Sequence, residues 1–306
     1  MNELDLNFEL DQKNIEFNHA VKLVNSTNKL IYLTGKAGTG KTTFLRYIKN
    51  TTHKQTVVLA PTGVAALNAG GQTIHSFFNI APGFFIPNDE RLRTSPNPNS
   101  DDKRTIFDYF RYRREKLELI NEMELLIIDE VSMVRCDLLD LIDRILRVFR
   151  DKLDEAFGGV QVLLIGDAFQ LPPIARNNEW IILNKFYETP YFFHAQILKE
   201  IKPIYIELKK IYRQKDSKFI ELLNKIRVNN LNDEDMELLN SRFIPSEVKN
   251  ENQNYITLAT HNNIAEDTNF NKLQSLETEL KQIDAKIVGN FPEMMMPTDK
   301  VLKLKV

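Results

Sequence analysis

The stretch Leu30-Ile31-Tyr32-Leu33-Thr34-Gly35-Lys36-Ala37-Gly38-Thr39-Gly40-Lys41-Thr42-Thr43-Phe44-Leu45 constrains this chain more than any other. An apolar, β-prone run leads into a Gly-rich turn, and a helix-compatible run from Thr43 to Ile48 follows. Gly35 to Thr42 fits G-x-x-x-x-G-K-[ST] without a mismatch. The order has a physical reason. Glycines let backbone N–H groups converge on phosphate oxygens, and the N-terminus of the next helix adds its positive dipole at the same point. The loop residues Gly35, Ala37, Gly38, Thr39, Gly40, Lys41, Thr42 and Thr43 are therefore the expected nucleotide contacts. Lys41 is expected at the β- and γ-phosphates and the Thr42 hydroxyl on Mg²⁺.

A chain of 306 residues exceeds one ordinary core, so two domains with a small insertion are expected. With 40 Lys plus Arg against 42 Asp plus Glu, the net charge of −2 offers no global attraction for a polyanion. Any nucleic-acid surface has to be a local patch. Cys136 is the single cysteine, which excludes an internal disulfide and a multi-cysteine metal site. The acidic start and the lack of a run long enough to span a bilayer lead us to expect a soluble, intracellular chain with no membrane partner.

Periodicity predicts a helix within Leu10–Asn25, then the loop strand, a strand over Thr56–Ala60 and a helix opening at Pro61-Thr62-Gly63. This βαβα order implies an α/β fold with a parallel sheet and functional loops at the strands' C-terminal ends. Between Ala81 and Asn99 the prolines Pro82, Pro87, Pro96 and Pro98 break regular structure, while Phe84, Phe85 and Ile86 are too apolar for a linker. An inserted subdomain is expected there, reaching Lys116. In Thr105–Lys116, basic and aromatic residues interleave, which suits either stacking on single-stranded bases or an amphipathic helix with its rings buried.

The continuous apolar run Leu125–Ile128 reads as a buried strand delivering Asp129 and Glu130. In phosphate-loop enzymes such a pair holds Mg²⁺ through the Asp and activates water through the Glu. A second such strand, Val160–Ile165, ends at Gly166-Asp167-Ala168-Phe169-Gln170. There Gln170 either senses the γ-phosphate or caps a turn. The prolines Pro172 and Pro173 are expected to carry the chain into a second domain, with a strand over Pro203–Leu208 and a helix over Phe219–Val228. Arg213, after that strand, is either an arginine finger or an ordinary surface residue.

In ordered motifs the chain resembles the Pif helicases (petite integration frequency), a superfamily IB family related to RecD-type helicases. Gly35–Thr42 looks like motif I, and Ala60–Ala66 with Gly71–Phe77 looks like motif Ia. Ile128–Met133 is similar to motif II, Phe157–Gln161 to the signature segment, Gly166–Pro173 to motif III and Ile211–Gln214 to motif IV. The resemblance implies a phosphate-loop NTPase with two RecA-like parallel-sheet domains, the second incomplete. The first would take residues 1–80 and 118–178, the second 179–306, with 81–117 an inserted wedge.

It further implies a DNA-stimulated ATPase that uses ATP and Mg²⁺ to walk 5′ to 3′ along single-stranded DNA. Such an enzyme opens forks and G-quadruplexes, acts in telomere maintenance, repair and recombination, and works as a monomer or as a dimer on DNA. Lys41, Asp129, Glu130, Gln170 and Arg213 would be catalytic, with Thr42 and Asp129 on the metal. Thr62, Gly63, Thr73 and His75 would lie on the DNA track, with Thr260, His261 and Asn262 as counterparts in the second domain. For His75 a core or capping role is the alternative. The family's adenine-reading glutamine maps near Asn14, with Gln12 two residues earlier. Met294–Val306 looks like the lead into a β-barrel insertion, and motifs V and VI do not follow in this sequence. The alternative expectation is accordingly a nucleotide-gated single-stranded DNA-binding fragment that does not unwind.

Overall fold

The computed structural model describes residues 14–212, 216–243, 256–287 and 300–305. The chain divides into two compact units, Met1–Glu237 and Leu238–Val306.

The first unit is built on a six-stranded sheet of β1 (Ile31–Gly35), β2 (Thr56–Ala60), β3 (Gln72–Thr73), β4 (Leu125–Ile128), β5 (Gln161–Ile165) and β6 (Ile204–Leu208). The strand order is β3-β2-β4-β5-β1-β6, and every pairing is parallel. Helix α1 (Ile15–Ser26) precedes the sheet, and α2 (Lys41–Thr51), α3 (Gly63–Ala69), α4 (Ile74–Phe78), α5 (Ile106–Tyr109) and α6 (Arg114–Glu122) lie between strands in the chain. They are followed by α7 (Cys136–Phe149), α8 (Asn177–Leu183), α9 (Ile197–Glu200) and α10 (Ser217–Arg227). Helix α11 covers Asp233–Asn240.

The strands read as unbroken apolar runs because the sheet is covered on both faces. Along β4, Leu125 and Ile127 enter one core with Phe44, Leu45 and Ile48 of α2 and Ala20 and Val24 of α1. Leu126 and Ile128 point the other way, into a core with Leu139, Ile142, Ile145 and Leu146 of α7. The period of two thus feeds alternate residues to opposite layers. Parallel pairing also puts the ends of β1, β4 and β5 on one edge, so the loops after them meet.

Strand β6 corrects the expected boundary at residue 179. It runs beside β1 in register, Ile31 opposite Ile204 and Gly35 opposite Leu208. Ile206 and Leu208 enter the α1/α2 core, and Tyr205 packs edge-on against Tyr32 at 5.8 Å. Without β6, the flank of the strand that carries the loop would be an open edge. Pro172 and Pro173 therefore turn the chain but do not end the unit.

The insertion is bound to the α7 layer. Phe85, Leu92, Ile106 and Phe110 are buried in the same core as α7. Arg144 Nη2 donates to the Leu92 carbonyl at 3.1 Å, and Arg135 Nη2 to the Gly83 carbonyl at 2.7 Å. Of the aromatics in 105–116, Phe110 is buried, and Tyr112 donates its hydroxyl to the Phe78 carbonyl at 2.7 Å while packing on Phe149. Those two rings are used internally, while Phe107 stays 49% exposed and Arg111, Arg113 and Arg114 face solvent.

Within the second unit, α12 (Asn262–Ser275) is followed by β7 (Lys281–Asp284) and β8 (Val301–Leu304), which pair antiparallel. No described helix in either unit is long and apolar enough to cross a membrane.

Candidate nucleotide-binding site

The loop after β1 is shaped by its glycines. A Cβ on Gly35 would stand 2.5 Å from Thr39 Oγ1 and 2.7 Å from the Leu208 carbonyl, so no side chain fits there. Gly38 and Gly40 have φ of 79° and 92°, in the left-handed region that only glycine enters at little cost. Thr39 closes the turn, donating both its backbone N–H and its hydroxyl to the Lys36 carbonyl. Gly40 is the N-cap of α2 and offers no side chain to its first N–H groups. That helix start is thus left to an external anion.

Lys41 folds back over the loop, its Nζ donating to the Gly35 carbonyl at 2.7 Å and the Lys36 carbonyl at 3.2 Å. Burial holds its ammonium below the ordinary lysine range, countered by Asp167, Glu130 and Asp129. Asp129, at the end of β4, is itself 9% exposed, and burial pushes its carboxyl up to about 6. Glu130 follows at φ 51°, a positive value rare outside glycine. The Thr42 hydroxyl and the Asp129 carboxylate are the hard oxygen donors that suit Mg²⁺. No cluster of three or more His, Cys, Asp or Glu that would hold a metal unaided occurs among the described residues.

At the end of β5, Gln170 donates from Nε2 to Asp167 Oδ2 at 3.3 Å, and its backbone N–H donates to the Asp167 carbonyl. Gln170 thus joins the same edge as Lys41, with its amide engaged in the turn. Asp167 is clamped by Arg227 of α10, 2.8 Å from Nη2.

Comparison with known proteins decides the family. Residues 7–237 match the PIF1-like helicase family. The chain belongs to it. Among curated relatives, it is 36% identical over 220 residues to the ATP-dependent DNA helicase PIF1 of Saccharomyces cerevisiae, covering 70% of this chain and 23% of the relative. It is 30% identical over 284 residues to human PIF1, covering 90% of this chain and 40% of the relative. Among solved structures, Bacteroides Pif1 bound to single-stranded DNA superposes with a TM-score of 0.79 at 41% identity, over 95% of this chain and 63% of that one. The complex of Bacteroides Pif1 with ADP-AlF3 and single-stranded DNA gives 0.78 at 39% identity, with the same coverage. The chain therefore spans less than half the length of these two curated relatives and under two thirds of the solved ones. The match to the PIF1-like family ends at residue 237, where the first compact unit also ends.

The remaining positions that suggested a PIF1-like helicase fall as follows. Thr62 and Thr73 sit at the ends of the paired strands β2 and β3, where each hydroxyl caps a short helix, accepting from Ala65 N and Ser76 N. Gly63 opens α3, and a Cβ there would meet nothing within 4 Å. His75 lies in α4, its ring held below the ordinary range by burial and by Arg135, with Asp137 opposing. Thr260 and His261 precede α12 in the second unit, where Thr260 Oγ1 and His261 Nδ1 are 3.0 Å apart and Asn262 begins the helix. Gln12 and Arg213 lie outside the described residues.

Asn14 has two partners within the protein. Its Oδ1 accepts from Phe17 N at 3.1 Å as the N-cap of α1, and its Nδ2 donates to the Tyr212 hydroxyl at 2.9 Å. Tyr212 in turn donates its backbone N–H to the Gly38 carbonyl at 2.8 Å, with its ring beside Gly40. Asn14 thus orients a ring over the loop with an amide already engaged at both ends. Tyr212 was visible inside the Ile211–Gln214 motif. Arg227 carried no local signal, being one cation at the end of an ordinary amphipathic helix.

Proposed function

We propose that this chain is the nucleotide-binding part of an ATP-dependent DNA helicase that moves 5′ to 3′ along single-stranded DNA. One observation carries the reading: Lys41, Asp129 and Glu130 converge on one sheet edge beside an uncapped helix start, in a chain of the PIF1-like family. Relatives named ATP-dependent DNA helicases, and solved relatives with single-stranded DNA, forked DNA or ADP-AlF3, support it.

Bound Mg²⁺ would supply charge neutralisation to the phosphates, held by Thr42 and Asp129. Lys41 exchanges the Gly35 carbonyl for a phosphate oxygen, keeping a donor–acceptor pair while gaining an ionic one. Glu130 takes the proton from the attacking water. Arg213 belongs to the proposal as the arginine that compensates charge on the transferred phosphoryl group.

Thr62, Gly63, Thr73 and His75 are the proposed DNA contacts of the first unit, and Thr260, His261 and Asn262 those of the second. Residues 81–117 are proposed as the wedge, and Leu238–Val306 as part of a second RecA-like domain. Duplex forks and G-quadruplexes are the proposed substrates.

The test is ATP turnover with and without single-stranded DNA, together with strand release from a fork carrying a 5′ tail, in the full-length protein. Single-stranded DNA is expected to raise turnover. Glu130→Gln is expected to keep nucleotide binding and to lose turnover by about 10²- to 10⁴-fold. Normal turnover by that variant would remove Glu130 from the role, and release from a 3′-tailed fork alone would reverse the direction.

A further inference from the structure

Among the carboxylates that counter the burial of Lys41, Asp167 acts most strongly, ahead of Glu130 and Asp129. Its side chain is 1% exposed. A buried anion so close to a phosphate cradle would repel a triphosphate unless it were compensated. The compensation comes from the last residue of α10. Arg227 approaches in a fork, Nε 3.1 Å from Oδ2 and Nη2 2.8 Å from Oδ1. Its guanidinium also lies over the Phe169 ring, 4.1 Å from the centroid. Burial alone would raise the Asp167 carboxyl, but Arg227 holds it below the usual range, hence ionised.

The same carboxylate organises the turn that follows it. Oδ1 accepts from Phe169 N at 3.2 Å, Oδ2 from Gln170 Nε2 at 3.3 Å, and Gln170 N donates to the Asp167 carbonyl at 2.9 Å. Arg227 therefore grips both ends of the 167–170 turn, the carboxylate at its start and the ring beside Gln170. If the Gln170 amide is to meet a terminal phosphate, it has only to leave one 3.3 Å contact while Arg227 keeps the rest of the turn in place.

We propose that Arg227 is a positioning residue for the terminal phosphate: by neutralising Asp167 and stacking on Phe169 it holds Gln170 on the Lys41 side of the sheet edge, so that the chain distinguishes a triphosphate from a diphosphate. The inference rests on the nucleotide reading above and adds to it a residue sixty positions from its partner, outside every motif.

The test measures the affinity of fluorescent ADP and of a fluorescent β,γ-imido ATP mimic, with Mg²⁺, for wild type, Arg227→Gln, Arg227→Lys and Asp167→Asn/Arg227→Gln. Arg227→Gln is expected to weaken the ATP mimic by about tenfold or more, the scale of one lost charged hydrogen bond, and ADP by less than about twofold. Arg227→Lys keeps the charge without the fork and is expected to recover part of the loss. Because Arg227→Gln leaves a buried carboxylate unpaired and can lower stability, thermal unfolding is followed in parallel. The double variant removes both charges and is expected to regain stability without regaining the discrimination.

A loss shared equally by ADP and the ATP mimic, or wild-type discrimination in the double variant, overturns the proposal and leaves a structural ion pair. Failure of the wild type to bind either nucleotide overturns the nucleotide reading and this inference with it.

Discussion

Asn14 Nδ2 donates to the Tyr212 hydroxyl at 2.9 Å, joining the start of the first helix to a residue 198 positions later that lies against the phosphate loop. Because Asn14 is 4% exposed, both of its bonds are made out of water. Asn14→Ala loses the α1 cap and the tie together, an expected destabilisation of about 0.5 to 2 kcal/mol from the cap alone. Tyr212→Phe keeps the ring and leaves the Asn14 amide N–H unsatisfied, which costs about 1 to 3 kcal/mol. Tyr212→Ala also removes the ring, so ATP binding is expected to weaken while binding of inorganic triphosphate is retained. Urea denaturation and nucleotide titration check these outcomes, and equal losses for ATP and triphosphate would place the ring elsewhere.

Asp129 makes stability depend on pH in a particular direction. Its carboxyl is raised to about 6 in the folded chain from an ordinary 3.8. The folded state therefore binds more protons than the unfolded one between those values. Stability from this group is present below about 3.8 and is lost as pH rises through about 6. The full effect is on the order of 3 kcal/mol. Asp129→Asn is expected to be more stable than wild type at pH 7.5, with the advantage shrinking at pH 4.5. Mg²⁺ binding, which needs the ionised form, is expected to weaken below about pH 6. A stability difference that stays constant across this range would show that Asp129 is not the titrating group.

Gly158 sits at φ +58°, and a Cβ there would stand 2.5 Å from the Leu146 carbonyl. Its neighbour Phe157 is buried and donates its N–H to Asp143 Oδ1 at 2.6 Å. Gly158→Ala is expected to cost about 2 to 5 kcal/mol, combining left-handed strain with a backbone clash. The shift in the denaturation midpoint reads it directly. A change below 0.5 kcal/mol, roughly what a surface substitution produces, would mean that this turn is free to relax.

Gly63 is the opposite case. It begins α3 in open space, so Gly63→Ala is expected to leave the melting temperature unchanged or to raise it slightly, since alanine favours the helix by up to about 1 kcal/mol. Single-stranded DNA affinity is expected to fall severalfold, because the space a methyl would fill is the space a strand would approach. Unchanged affinity in a fluorescence-anisotropy titration would take Gly63 off the proposed track.

Much of this site is legible in one dimension because its parts are short and local. Gly35–Thr42 carries its own strand, turn and helix start, and Leu125–Ile128 leads straight into Asp129 and Glu130. Continuous apolar runs imply strands covered on both faces, and once those strands are parallel their loops share an edge. Relations between distant segments are less legible. Nothing local in Ile204–Leu208 says whether it opens a new sheet or completes an old one, since an edge strand and a central strand can share the same residues.

The sequence by itself determined the phosphate loop, the acidic pair, the α/β class and the family, because each rests on spacing within a few residues. Tertiary structure decided that β6 closes the flank of β1, that Phe85 and Phe110 of the insertion are buried against the α7 layer, that Asn14 supports Tyr212, and that Arg227 holds Asp167. Those outcomes depend on which buried groups find partners across long separations, and burial with pairing is settled only when the whole chain is packed.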